Sequence, residues 1–230
     1  MKKLFDYILD LLFPKYCVGC NKEGTWLCSQ CQGKIILIKK PTCPNCLTLT
    51  EKGQFCPRCR KNTSLTGLIV AAYYKEGPLK EAIHTFKYDG VFDLAKDLGK
   101  ILVGVLKERN LAKKFVIVPI PLHYKRQAKR GFNQAELLAQ QVQNDFGWEI
   151  NKALVRNKQT QKTQAELSGA ARRKNVKNIF SWQGGEELKN KSILLIDDVY
   201  TTGATLNECA KILRQDAHAK EIWGLVLAKA

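Results

Sequence analysis

Apolar positions along the 230-residue chain change their period near residue 65. Upstream, Leu4, Ile8, Leu11 and Leu12 recur at helical spacing until Pro14 stops them, which predicts a short amphipathic helix. Short polar turns with little continuous apolar sequence then run to residue 64. Downstream, strand-like and helix-like periods alternate. Residues 68–74 form an apolar strand run, Leu79, Ile83 and Phe86 mark one helix face, and Leu94, Leu98, Ile101, Leu102 and Val105 mark a second. Residues 115–118 are a short β-branched run ending at Pro119, and Ala135, Leu138, Ala139 and Val142 give a third helix. Residues 193–196 form a strand, Leu206, Cys209, Ala210 and Leu213 a helix face, and 222–227 a last strand. Strands that are apolar throughout must be covered on both faces, so the pattern predicts an α/β domain, a parallel sheet flanked by helices, over residues 65–230. Residues 1–64 are expected to form a small separate module.

Cysteine usage gives that module a chemistry. Eight of the nine cysteines fall in four Cys-x-x-Cys pairs: Cys17 and Cys20, Cys28 and Cys31, Cys43 and Cys46, Cys56 and Cys59. This spacing suits thiolate metal ligands in a reducing compartment, so a cytoplasmic protein is expected. Eight thiolates complete two tetrahedral Zn²⁺ sites, and a site closed by four cysteines has no position for water, which makes both ions structural. Consecutive pairing needs the shortest loops, with a cross-braced pairing left open. Chelation is then expected to unfold residues 17–59 and spare the α/β domain. Cys209 lies on an apolar helix face and reads as a small core residue. Lys2 and Lys3 ahead of an apolar stretch suggest a signal peptide, but Asp6 and Asp10 interrupt it and no small-residue cleavage site follows. No run reaches the length of a membrane span, so an integral membrane protein is not expected.

Charge changes the expected partner. With 38 basic and 21 acidic residues the chain carries a formal charge of +17, which points to a polyanion such as nucleic acid or lipid headgroups. Lys34, Lys39, Lys40, Arg58, Arg60 and Lys61 make the cysteine module basic. From Arg109 to Ala135 there are seven Lys or Arg and no acid, and from Asn151 to Phe180 eight basic residues accompany only Glu166.

The richest chemistry lies where the strand at 193–196 ends. Asp197 and Asp198 are followed by Val199, Tyr200, Thr201, Thr202, Gly203, Ala204 and Thr205. Backbone N–H groups at the start of the next helix, with the hydroxyls of Thr201, Thr202 and Thr205, can wrap a phosphate. Adjacent carboxylates cannot bind phosphate, but they accept hydrogen bonds from a ribose 2′,3′-diol. The expected ligand is a sugar phosphate.

This array resembles the binding motif for phosphoribosyl pyrophosphate in type I phosphoribosyltransferases: a hydrophobic run, two acids, then Thr-Thr-Gly-x-Thr. The resemblance implies that Asp197 and Asp198 hold the ribose at the catalytic centre and that residues 201–205 hold the 5′-phosphate. It also places a pyrophosphate loop at Pro119, Ile120 and Pro121, whose backbone, with Mg²⁺ bridging the pyrophosphate and ribose hydroxyls, would neutralise leaving-group charge. The four knuckles, the run from Pro119 to Gln134, and the stretch carrying Arg156, Thr160, Thr163, Gln164, Leu167, Arg172, Asn175 and Phe180 extend the likeness. Together they make the whole chain resemble the ComF family of competence proteins. That resemblance implies a zinc ribbon fused to a phosphoribosyltransferase-like domain, handling of single-stranded DNA during natural transformation, and a competence helicase as a candidate partner.

Arg126, Arg130, Arg172 and Arg173 then have two readings. They reach the pyrophosphate as a closing lid, or they line a nucleic-acid groove with Tyr124 and Phe132 stacking on bases. Of the histidines, His123 follows the pyrophosphate loop and His84 lies on a predicted helix. The alternative function is a working nucleobase salvage phosphoribosyltransferase hooded by the zinc ribbons, although no motif names a base.

Overall fold

The structure, a computed structural model, describes residues 14–111, 113–157 and 179–230. The predicted helix at the N-terminus lies outside them. Four parallel strands form the sheet: β1 (Gly67–Tyr73), β2 (Val116–Pro119), β5 (Ser192–Tyr200) and β6 (Glu221–Lys229), in the order β1-β6-β5-β2. Register runs from Gly67 opposite Trp223, Ser192 opposite Glu221 and Val116 opposite Ile193. Between β1 and β2 come α3 (Pro78–Tyr88) and α4 (Leu94–Arg109), and after β2 come α5 (Tyr124–Arg130) and α6 (Gln134–Phe146). An antiparallel hairpin of β3 (Leu154–Arg156) and β4 (Phe180–Trp182) precedes β5, and α7 (Ala204–Gln215) joins β5 to β6.

Strand alternation sends side chains into two cores. On one face Ile69, Ile117, Leu194, Ile196 and Leu225 meet Phe86 of α3, Leu98 and Leu102 of α4, and Leu138 of α6. On the other Leu68, Val118, Ile193, Leu195 and Val226 meet Leu206, Cys209 and Leu213 of α7 and Phe180 of the hairpin. Cys209 is fully buried there, as its place on the apolar face predicts.

Four elements of the α/β domain went unread in the sequence or were cut short. The strand at 193–196 runs on to Tyr200, because after Ile196 its backbone still pairs with β6 as far as Tyr200 opposite Lys229. α5 is amphipathic in no sense that periodicity detects, since none of its residues is buried; capping by His123 and Gly131 delimits it. The hairpin strands are three residues each, too short to carry a pattern.

Two short helices, α1 (Ser29–Gly33) and α2 (Pro57–Arg60), each begin immediately after a cysteine and carry the next. The knuckle region lies along the free edge of β1. Ile38 N donates to Ala71 O at 2.8 Å and Leu68 N to Gly53 O at 3.0 Å, so segments on either side of the third knuckle, Cys43 and Cys46, pair onto the strand. Side chains tie it further. Arg109 reaches the carbonyls of Lys39 and Ile38, Lys229 that of Pro44, and Asn207 Oδ1 accepts from Ser64 N at 2.7 Å. Cys17, Leu27 and Cys31 belong to the α3/α4 core, whereas Cys43, Phe55 and Cys59 belong to the α7 core. The cysteine-rich segment therefore straddles the sheet edge and contributes to both hydrophobic layers.

Candidate functional site

The eight paired thiols converge in two sets, Cys17, Cys20, Cys28 and Cys31, then Cys43, Cys46, Cys56 and Cys59, each with its sulfurs within 4.8 Å of one another. Pairing is consecutive, which excludes the cross-braced arrangement. A Zn–S bond of about 2.3 Å in a tetrahedron requires sulfurs about 3.8 Å apart. Cys20 to Cys28 and Cys46 to Cys56 are both 3.6 Å, so the donor sets fit zinc. Cys28 N donating to Cys17 Sγ (3.3 Å) and Asn45 Nδ2 donating to Cys59 Sγ (3.5 Å) supply the outer hydrogen bonds that orient such ligands.

At the C-terminal end of the sheet, where parallel α/β sheets bind ligands, β5 and its neighbour β2 end side by side. β5 delivers Asp197 and Asp198, and the chain then turns through Thr201 and Thr202 to Gly203 and enters α7 at Ala204 and Thr205. Gly203 has φ +73°, and a Cβ there would run into the Tyr200 ring, so the turn requires glycine. Pro119 ends β2, and Ile120 and Pro121 follow beside the turn, Ile120 N donating to Ile196 O at 2.9 Å. The two loops expected to hold phosphate and pyrophosphate thus lie side by side.

Alternation along β5 sends the two carboxylates to opposite faces, and each meets its own cation. Asp198, almost buried, receives Lys87 Nζ of α3 at 2.8 Å. Burial works against the Lys87 ammonium, but Asp198 and then Asp197 outweigh it and hold its pKa above the ordinary lysine value. Asp197 faces Arg156 of β3 and Cys209 of α7. Burial and the charge on Asp198 push its pKa up to about 7, against the pull of the Asp198 N–H (2.9 Å), Lys87 and Arg156. Arg156 is depressed to about 10 by burial and by Arg126, and it remains charged at neutral pH. Its ring contact is Phe180 at 5.4 Å, and its Nε and one Nη are buried with no hydrogen-bond partner among the described residues. Unpaired guanidinium N–H groups next to a phosphate-type turn are what an incoming anion would satisfy.

A raised carboxyl pKa has a sign that can be measured. The fold favours protonated Asp197, so its contribution to stability is present near the unfolded pKa of 3.8 and is lost as pH rises through about 7. Asp197→Asn should therefore melt above the wild type at pH 8, with the gap narrowing toward pH 5, in thermal unfolding of both proteins. A gap independent of pH would mean that Asp197 ionises normally.

Arg126 and Arg130 stand on α5, directly after the β2 loop. Arg126 lies near Arg156 and His123, and Arg130 packs over the Tyr88 ring at 5.1 Å. His123 is buried, accepts from Lys125 N through Nδ1, and is held below the usual histidine pKa by burial and then by Arg156, Lys125 and Arg126. His84 is exposed and packs on Tyr88. Arg172 and Arg173 lie outside the described residues. Phe132 is half-buried and packs on Phe86 with ring centroids 5.4 Å apart. The most exposed rings among the described residues are Tyr88 and Phe92, each 62% exposed, and Tyr124 at 66%.

Lys87, Tyr88 and Phe92 escaped sequence reading, and Arg156 was read only as one of the basic residues of 151–180. Lys87 had a signal, since it follows Ile83 by four residues and so continues the buried stripe of α3. The place of Arg156 beside Asp197 had none, because its three-residue strand shows no period.

A family model described as a phosphoribosyl transferase domain matches residues 95–228, and one described as a double zinc ribbon domain matches residues 8–60. Competence protein F of Haemophilus influenzae is 35% identical over 92% of this chain and 96% of its own. This chain belongs to the ComF family of competence proteins. Other relatives are competence protein ComFC of Streptococcus pneumoniae, 33% identical over 88% of this chain and 87% of its own, and DNA utilization protein YhgH of Escherichia coli K12, 32% identical over 94% and 98%. The parallel sheet with its helices and the two cysteine tetrads are thus those of a ComF-family zinc ribbon and phosphoribosyltransferase fold. Among the described residues, no helix is long and apolar enough to cross a membrane.

Proposed function

We propose that this ComF-family protein binds phosphoribosyl pyrophosphate with Mg²⁺ where β5 and β2 end, and handles single-stranded DNA during DNA uptake in the cytoplasm. One observation carries the reading: the glycine turn after the Asp197–Asp198 pair sits beside the β2 loop, with basic side chains around both. The turn takes the 5′-phosphate, the carboxylates take the ribose diol, and residues 119–121 with Arg126 and Arg156 take the pyrophosphate. Both carboxylates already have cationic neighbours, so Mg²⁺ enters on the pyrophosphate, where it supplies charge neutralisation. The DNA half is supported by the charge of +17, by the exposed rings beside Arg130 and Lys125, and by relatives named for competence and DNA utilization.

Calorimetry tests the ligand. Phosphoribosyl pyrophosphate should bind only with divalent metal present, and Asp198→Ala or Thr202→Ala should each weaken it tenfold or more, since a charge-assisted hydrogen bond contributes about 1.5–3 kcal/mol. Unchanged binding in both variants would show the ligand to be elsewhere. Pyrophosphate release with a panel of nucleobases, alongside no affinity for single strands, would replace this reading with salvage.

A further inference from the structure

We propose that Lys87 is the resident cation of the ribose half of the site, a positioning residue that does there what a divalent metal would otherwise have to do. The inference rests on the ribose-phosphate reading above and adds to it where the metal requirement lies.

Two carboxylates on consecutive residues beside an anion-binding turn are an electrostatic conflict. A sugar phosphate must bring its own negative charge against theirs in a setting that burial makes less screening than water. Lys87 resolves half of that conflict from within the chain. Its Nζ sits 2.8 Å from one oxygen of Asp198, its side chain is 19% exposed, and it comes from α3, an element apart from both loops. The charged and titratable groups that bear on it are Asp198, Asp197 and Tyr88. Phe86, the residue before it, is fully buried in the core, so the end of α3 is anchored and the ammonium is held in position. A carboxylate has about four lone-pair sites on two oxygens, and the ammonium uses one. The remainder stay open to sugar hydroxyls, with the carboxylate fixed in orientation and its charge offset.

The consequence is a division of labour. The ribose and 5′-phosphate half needs no metal, and the requirement for Mg²⁺ belongs to the pyrophosphate alone. Ribose 5-phosphate, which has the diol and the phosphate and lacks the pyrophosphate, separates the two.

The test is calorimetry of the intact zinc-loaded protein in metal-depleted buffer, with no chelator that would strip the knuckles, before and after adding Mg²⁺. Wild type should bind ribose 5-phosphate equally well in both conditions, within twofold, while phosphoribosyl pyrophosphate responds to Mg²⁺. Lys87→Met should weaken ribose 5-phosphate tenfold or more without metal and regain part of that on adding Mg²⁺, and Lys87→Arg should stay within about fivefold of wild type. A purely structural lysine would weaken both ligands regardless of metal and would not make ribose 5-phosphate binding metal-dependent. If wild-type binding of ribose 5-phosphate itself rises tenfold with Mg²⁺, the inference fails, and that comparison requires no variant. If neither ligand binds wild type in any condition, the ribose-phosphate reading falls and this inference with it.

Discussion

Stripping zinc should release the edge of the sheet as well as the knuckles. Structural zinc in small cysteine sites contributes about 10–16 kcal/mol of apparent binding energy at neutral pH, all of it coupled to folding. Had residues 17–59 been an appendage, that loss would have stayed local, as their composition alone suggests. In the structure Cys17 and Cys31 belong to the same core as Phe86 and Leu98, Cys43 and Cys59 to the same core as Leu206 and Leu213, and backbone from 38 and 53 pairs along β1. Purified protein should carry two zinc ions per chain by elemental analysis. Once they are removed, amide exchange should speed up across residues 14–60 and also in β1, α3 and the start of α7, with a fall in the melting temperature of the remainder. Zinc-free protein that keeps the protection of β1 would show that the knuckles are dispensable to the sheet.

Single-strand binding should respond to two kinds of substitution in different ways. Phosphate contacts set the salt dependence, at about −0.7 in the slope of log affinity against log salt for each contact. Arg126→Ala with Arg130→Ala should flatten that slope by roughly 1.4. Stacking sets affinity with little effect on slope, at about 1–3 kcal/mol per base. Tyr88→Ala with Phe92→Ala should therefore cost roughly thirtyfold or more in affinity, if each ring takes one base at the low end of that range, and leave the slope where it was. Because Arg130 lies over Tyr88, these two positions should couple, and the double loss should fall short of the sum of the single losses. Tyr124→Ala extends the test along α5. Equal affinity and equal slope in all these variants would remove this rim as the nucleic-acid surface.

The architecture was largely legible because periodicity reports burial. The strands at Leu68, Val118, Leu194 and Val226 are buried on both sides, so their continuous apolar runs announced a covered parallel sheet. The phosphate turn was legible because its threonines, glycine and acids are contiguous, and the tetrads because each knuckle is two cysteines at fixed spacing. Partners brought together by the fold left no such trace. Lys87 and Asp198 are 111 positions apart and Arg156 and Asp197 41 apart, and nothing local ties either pair. Among the exposed rings Phe92 was missed, because it belongs to no periodic segment. The straddling of β1 by the knuckles was equally silent, since the contacts run through backbone atoms that every residue shares.

The order of strands also bears on how the chain can be made. β6 lies between β1 and β5, and it is the last of the four to leave the ribosome. Until residues 221–229 emerge, β1 has only the knuckle segments to pair with, and Leu68, Ile69, Val70 and Ala71 wait some 150 residues for the strand that will cover their other edge. The nascent protein therefore passes through a long interval as an open sheet with an unfilled middle, in which early zinc loading would guard the strand most prone to pair with a stranger.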